Sequence, residues 1–146
     1  MATVQSMLKE KGKNIYSVSP ESTILDCLNL MAEKEIGSVL VMREDRIIGI
    51  FSERDYARRG ILKGNDANTP VSSVMTASVW LVKPDCSAET CMALMTEKHI
   101  RHLPVIDGGK VIGVISIGDV VKSMLSDDQA MIHGMENFLQ IGEIPL

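Results

Sequence analysis

The sequence predicts an α+β fold made of two copies of one β-α-β-β-α unit, related by a pseudo-twofold axis and packed sheet to sheet, with a helical segment before the first copy and a helix after the second. Three observations predict it. The chain repeats itself, each repeat switches between strand and helix periodicity, and neither repeat is large enough to bury its sheet alone. Shifted by 64 positions, residues 15–57 align without a gap on residues 79–121, and 13 of the 43 pairs are identical. Pro20 meets Pro84, Cys27 meets Cys91, Gly49 meets Gly113, Ser52 meets Ser116 and Asp55 meets Asp119. At 146 residues the chain is one ordinary domain or two very small ones.

The elements follow in order. Val4–Leu8 resembles Val71–Met75, so the repeat extends upstream, but at a changed offset. Three extra residues in the first copy fall in Lys9–Lys13 and put Lys9, Lys11 and Lys13 in one loop. A solvated charged loop is the plainer reading, and contact with a second phosphate or closure over a dinucleotide is the functional one. Short apolar strands come next, Ile15–Val18 and Val79–Val82. Ser19 then caps a helix whose first turn holds Pro20, where a missing N–H costs nothing, and Pro84-Asp85 repeats that signal. The helix bodies carry Ile24, Cys27, Leu28 and Met31, or Ala88, Cys91, Met92 and Met95, as one apolar stripe. Strand pairs follow at Ser38–Met42 with Ile47–Phe51, and at His102–Ile106 with Val111–Ile115. Asp107-Gly108-Gly109 supplies a hairpin turn. A second helix starts after Ser52 or Ser116. The domains are therefore residues 1–63, a polar linker over 64–70, residues 71–126, and a tail over 127–146 read as helical through Ile132, Met135 and Phe138.

Composition bounds the function. Hydrophobic residues make up 45% and aromatics 3%, so aliphatic side chains and methionine must build the core. A net charge of −4 argues against nucleic acid as a partner. No apolar run reaches the roughly 18 residues of a membrane span, and Met1–Lys13 lacks the apolar centre of a signal peptide. Cys27, Cys86 and Cys91 are odd in number, which fits reduced thiols and a cytoplasmic location. Their spacing fits no zinc site, and His99 and His102 straddle a helix-to-strand change, so no metal is expected. Cys27 and Cys91 fall on the core stripe.

The repeated element richest in chemistry is Gly-x-x-Ser-x-x-Asp, at Gly49–Asp55 and Gly113–Asp119. Two readings compete. Ser and Asp three apart at a strand-to-helix turn form a capping box. The same geometry offers an anion site at a helix start and a carboxylate for two sugar hydroxyls. The pattern alone favours the cap.

The duplicated unit, the stretch Ile100-Arg101-His102-Leu103-Pro104-Val105-Ile106-Asp107 and the paired Gly-x-x-Ser-x-x-Asp ends resemble a tandem CBS-domain pair, from Val4 to about Met124. The resemblance implies two clefts between the motifs, each able to hold an adenine nucleotide. AMP comes first among the implied ligands, with ADP, ATP, NAD(H) and S-adenosylmethionine after it. It implies ribose binding by Asp55 and Asp119, phosphate contact by Ser52 and Ser116, and an adenine border at Ile50 and Val114. Lys13, Asn14 and Ile15, with Arg101, His102 and Gly118, are expected in the Asp119 cleft. Thr76, Ala77 and Val79, with Gly37, Ser38, Arg54 and Arg58, are expected in the Asp55 cleft. The phosphate-rich ligand is expected at Asp119. The resemblance also implies a homodimer, with Ala57, Ile61, Val121, Met124, Met7 and Leu8 as its candidate face, and an unidentified regulated protein.

Three classes of function follow. The first is a regulatory nucleotide-binding module. The second is a dimeric interaction scaffold whose clefts do not bind. The third, ranked last, is an enzyme, because no nucleophile with an activating base, no Gly-x-Ser-x-Gly elbow and no P-loop is present.

Overall fold

A computed structural model describes residues 2–125. The predicted tail over 127–146, with Ile132, Met135 and Phe138, lies outside the described residues. The fold is mixed α+β with two sheets. Helix α1 spans Val4–Lys11. The first copy then runs β1 (Ser17–Val18), α2 (Ile24–Lys34), β2 (Ser38–Arg43), β3 (Arg46–Ser52) and α3 (Glu53–Asp55). A π turn at Tyr56–Gly60, a 3-10 turn at Ile61–Lys63 and another at Val71–Ser73 lead to the second copy. That copy runs α4 (Ala88–Lys98), β4 (His102–Asp107), β5 (Lys110–Ser116) and α5 (Ile117–Met124). β1 pairs parallel with β2, and β2 pairs antiparallel with β3. β4 and β5 pair antiparallel in the same register, down to a bulge at the equivalent place.

The helix starts differ from the expected ones for a local reason. Ser19 and Pro20 lie in a turn closed by Ser22 N–H donating to the Ser19 carbonyl at 3.0 Å. Helix α2 begins one turn later, where Thr23 and Asp26 cap each other reciprocally. Ser87 does the same service for α4 by accepting from the Thr90 amide. A Thr-x-x-Asp box satisfies two orphan donors, worth about 1 kcal/mol, while Ser19 and Ser22 bond each other within the turn. The apolar stripes stand: Ile24, Cys27 and Met31, and Ala88, Cys91 and Met95, are all buried.

The first strand of each copy is shorter than expected, and the second copy keeps only a bridge between Val82 and Val105. In the second copy the cause is Pro104. In the first copy Leu40 N–H donates to the Tyr16 carbonyl at 3.1 Å. Pro104 stands where Leu40 does and has no N–H to give.

The two copies exchange their leading segments. Val71 and Val74 belong to the core of the first copy, with Ile24, Cys27, Met31, Val39, Val41 and Phe51. Val4, Met7 and Leu8 belong to the core of the second, with Val82, Cys91, Met95, Leu103, Val105, Ile115 and Val120. Backbone hydrogen bonds repeat the exchange. Val4 and Gln5 donate to the carbonyls of Cys86 and Pro84, and Val71 and Ser72 donate to those of Ser22 and Pro20. Ala88 donates to Ala2 as Ile24 donates to Thr69. Met7 at 3% exposure and Leu8 at 1% are therefore interior, and neither lies on an outer face as expected.

Each exchanged segment crosses a strand at the motif glycine. A Cβ on Gly113 would stand 2.6 Å from Leu8 Cδ2, and one on Gly49 would meet Met75 Sδ and lie 3.1 Å from the Thr76 carbonyl oxygen. Gly49→Ala is therefore expected to lower stability by about 1–3 kcal/mol through overpacking. Gly113→Ala should cost less, because only a side-chain end obstructs it. Urea-unfolding midpoints test this, and a neutral Gly49→Ala would show that the crossing is not tight.

Candidate functional site

Both Gly-x-x-Ser-x-x-Asp elements form complete capping boxes. Ser52 donates its N–H and its Oγ to Asp55 Oδ2 at 2.9 and 3.1 Å, and the Asp55 amide donates back to Ser52 Oγ at 3.3 Å. Ser116 and Asp119 repeat this at 2.7, 3.0 and 3.2 Å. The serine thus locks one carboxylate oxygen and turns the other outward. Each aspartate borders a cavity.

The Asp55 cavity is about 570 Å³, within the usual range for a small-molecule site. Its walls come from both copies. Ile50, Ser52, Arg54 and Asp55 form one side, and Thr76, Ser78, Val79 and Trp80 form another. The turn Lys98–His102 and the start of α5, Ser116–Gly118, complete it. Arg58 and Arg59 reach it from the π turn, a widened turn of a kind often found at functional sites. Asp55 itself is 8% exposed, and its Oδ1 accepts from Thr76 Oγ1 at 2.9 Å. Thr76 also exchanges backbone hydrogen bonds with Ile50 at 2.8 and 2.9 Å. Five cationic side chains, Arg54, Arg58, Arg59, Lys98 and Arg101, line this cavity against two carboxylates, Glu53 and Asp55. Arg54 is braced on the His99 carbonyl at 2.6 Å and Arg59 on the Met75 carbonyl at 2.9 Å.

The Asp119 cavity is smaller, about 360 Å³. Asn14, Tyr16, Gly37, Ser38, His102, Val114, Ser116 and Asp119 line it, with Lys11, Gly12, Glu35 and Leu40. Lys11 is the only Lys or Arg among the described residues that line it. Its ammonium donates to Asp119 Oδ2 at 2.7 Å and to the Val114 carbonyl at 2.9 Å. Burial pushes the Asp119 carboxyl up, but the Lys11 ammonium and the Ser116 donors outweigh it and hold the group below the usual carboxylate range.

The structure redistributes several expected residues. Arg101 faces the Asp55 cavity, not the Asp119 cavity. Ser38 faces the Asp119 cavity, while Gly37, His102 and Ser116 border both. Gly118 lines the Asp55 cavity. Each cleft takes its motif aspartate from one copy and its helix-to-strand turn from the other, so the Arg101 turn serves Asp55. The concentration of cations consequently lies at Asp55, opposite to the expected cleft. Lys13, Ile15 and Ala77 line neither cavity.

Two aromatic residues escaped the sequence reading. Trp80 lines the Asp55 cavity and Tyr16 the Asp119 cavity. They are aligned partners in the repeat, and each ring lies under the equivalent lysine, Lys98 at 4.7 Å from Trp80 and Lys34 at 5.5 Å from Tyr16. In a chain with five aromatic residues, two at matched positions are a usable signal.

The remaining titratable groups fit a packing role. Burial pushes the Cys27 thiol up to about 11 and the Cys91 thiol up to about 12, the latter also through contact with Cys86. Neither is a ready nucleophile. Among the described residues no group of three His, Cys, Asp or Glu side chains is placed to hold a metal ion. No described helix is long and apolar enough to cross a membrane.

Comparison with known proteins agrees with this architecture. The family model described as CBS domain matches residues 11–61 and 71–126. The chain is 32% identical over 116 residues to the CBS domain-containing protein YhcV of Bacillus subtilis, covering 80% of this chain and 83% of that one. A protein with CBS domains from Burkholderia ambifaria superposes with a TM-score of 0.84 at 50% identity, over 88% of this chain and 97% of that one. The fold is also shared with PAE2072 of Pyrobaculum aerophilum, a CBS domain protein solved in complex with AMP, at 20% identity, a TM-score of 0.74 and coverage of 92% and 98%.

His102 lies between the two cavities, and its environment makes a pH prediction. Burial, then the Lys11 and Arg101 charges, pull its pKa down to about 4 from 6.5, against the opposing pull of Asp119. The folded state therefore binds this proton more weakly than the unfolded chain does, so this contribution to stability is present above pH 6.5 and is lost as pH falls towards 4. His102→Gln should flatten the fall in melting temperature across that window. An unchanged pH profile would show that His102 is not held neutral.

Proposed function

The chain belongs to the CBS-domain family, and on that premise we propose that it is a regulatory module that binds an adenine nucleotide in the Asp55 cavity. The observation that carries the reading is the meeting of two chemistries in one cavity. Asp55, fixed by Ser52, presents carboxylate oxygen to hydroxyl donors. Around it stand four guanidinium groups and Lys98, suited to phosphate oxygens. Ile50 and Val79 offer apolar edges, and Trp80 an aromatic face, for a base. AMP satisfies this set, and ADP, ATP or NAD(H) would use more of the cations.

The ligand would act by bridging the copies. Arg54 and Asp55 belong to one, and Arg101 and Trp80 to the other, so a nucleotide held by all four favours one mutual orientation. That bias is limited by the difference in affinity between the two orientations. A partner protein, not an active site in this chain, reads the change. The free thiols Cys27, Cys86 and Cys91 suit a reducing compartment such as the cytoplasm.

Thermal shift and calorimetric titration with AMP, ADP, ATP, NAD(H) and S-adenosylmethionine test the reading. At least one adenine nucleotide should raise the melting temperature, and Asp55→Ala should abolish the shift. Absence of any shift at millimolar ligand would leave the carboxylates as helix caps and favour the scaffold reading, which the complete capping boxes also support.

Exposed apolar side chains at Ile61, Leu62, Val121, Met124 and Leu125 support the further reading of a homodimer. Light scattering should give twice the chain mass, and a monomer at tens of micromolar would refute it.

A further inference from the structure

We propose that Lys11 is an internal ligand of the Asp119 cleft, so that the chain takes one nucleotide, in the Asp55 cavity, and a second only when Lys11 is withdrawn. This rests on the nucleotide-binding reading above.

The two clefts present the same pair of acceptors. One is the motif carboxylate and the other is the carbonyl of the residue after the motif glycine. At Asp55 both are served by Thr76, through its amide to the Ile50 carbonyl and its hydroxyl to Asp55 Oδ1. At Asp119 both groups are served by the Lys11 ammonium, which meets the carboxylate at Oδ2, the oxygen that Ser116 also holds. The difference is one of charge. A threonine hydroxyl leaves the carboxylate its full negative charge and can rotate aside when a ribose arrives. An ammonium neutralises the carboxylate, and its removal requires a partly exposed ion pair to be separated.

The chain holds Lys11 in that position. The three-residue insertion lengthens α1 to Lys11, where Gly12 ends it at φ 95°. Val4, Met7 and Leu8 bury one face of α1 in the second core, and Lys11 continues that face by one more turn. Val4 and Gln5 anchor the other end of the helix on Cys86 and Pro84. A lysine in the last turn also complements the helix dipole. Lys9 and Lys13 line neither cavity. With Lys11 bound to Asp119, and His102 neutral, no described cationic side chain of this cleft is left to meet phosphate.

Calorimetric titration with AMP decides the proposal. Wild type should bind one AMP per chain. Lys11→Ala should gain a second site, filled about two- to fivefold more readily than any residual second site of wild type, as loss of a partly exposed ion pair allows. Two sites in wild type, or a single site in the variant, would overturn it. If wild type binds none of AMP, ADP, ATP and NAD(H), the nucleotide reading itself has failed, and a ligand-free measurement decides the position of Lys11. Brief labelling with an amine-acetylating reagent, read by mass spectrometry, should modify Lys11 several-fold more slowly than Lys9 and Lys13, and Asp119→Ala should remove that protection. Equal rates at the three lysines would overturn the contact. AMP-saturated wild type should keep Lys11 protected, and loss of protection would mean that AMP displaces it, against the proposal.

Discussion

The exchange of leading segments is the constraint on which the rest of this molecule depends. Each copy of the repeat has a sheet too small to close its own core, and the missing cover comes from the segment that precedes the other copy. That segment must cross β3 or β5 closely enough to bury its apolar side chains. The crossing leaves no room for a Cβ, so glycine stands at positions 49 and 113. One residue beyond that glycine the crossing backbone or side chain meets a strand carbonyl, and six beyond it meets the motif aspartate. Core closure and cleft formation are therefore one event. A cleft exists because each copy is finished by its neighbour.

This coupling explains which parts of the molecule were legible in the sequence. The register of the repeat was, because identities at fixed spacing reflect equal backbone paths. The hydrogen bonds of Val4 and Val71 confirm both offsets, including the three-residue change upstream. Core stripes were legible too, since burial follows helical period whatever the connection. The helix starts were not, because Ser19-Pro20 and Thr23-x-x-Asp26 both carry a start signal, and the first closes as a turn on Ser22 before the second opens the helix. The division of residues between the clefts was not legible either. An alignment shows that Arg101 corresponds to Gly37. It does not show across which side of the pseudo-twofold axis the Arg101 side chain reaches, and the axis carries it to Asp55.

The electrical inequality of the clefts has the same origin. The repeat is close to symmetric in its apolar residues and differs most at charged positions that line the clefts. Arg54 and Arg101 are paired with Gly118 and Gly37, and Arg58 and Arg59 ride on a π turn where α5 continues as a regular helix. Substitution at these rim positions leaves the core untouched, so the two clefts can diverge in charge while keeping one fold. Divergence has concentrated cations beside Asp55 and left Asp119, among the described residues, with a single lysine that is already paired.

The cap and the binding site are accordingly not rival descriptions of Ser52-x-x-Asp55 and Ser116-x-x-Asp119. In both copies Oδ2 accepts the serine amide and hydroxyl, which is what a cap requires. Capping fixes the carboxylate plane and so turns the aspartate towards the crossing segment. What the carboxylate then does is decided by the group that the other copy brings to it. A neutral hydroxyl from Thr76 leaves Asp55 available to a ligand's donors, whereas an ammonium from Lys11 supplies Asp119 with its partner from within the chain. Identical motifs thus acquire different roles through residues outside the motif, in the one stretch where the repeat changes its spacing.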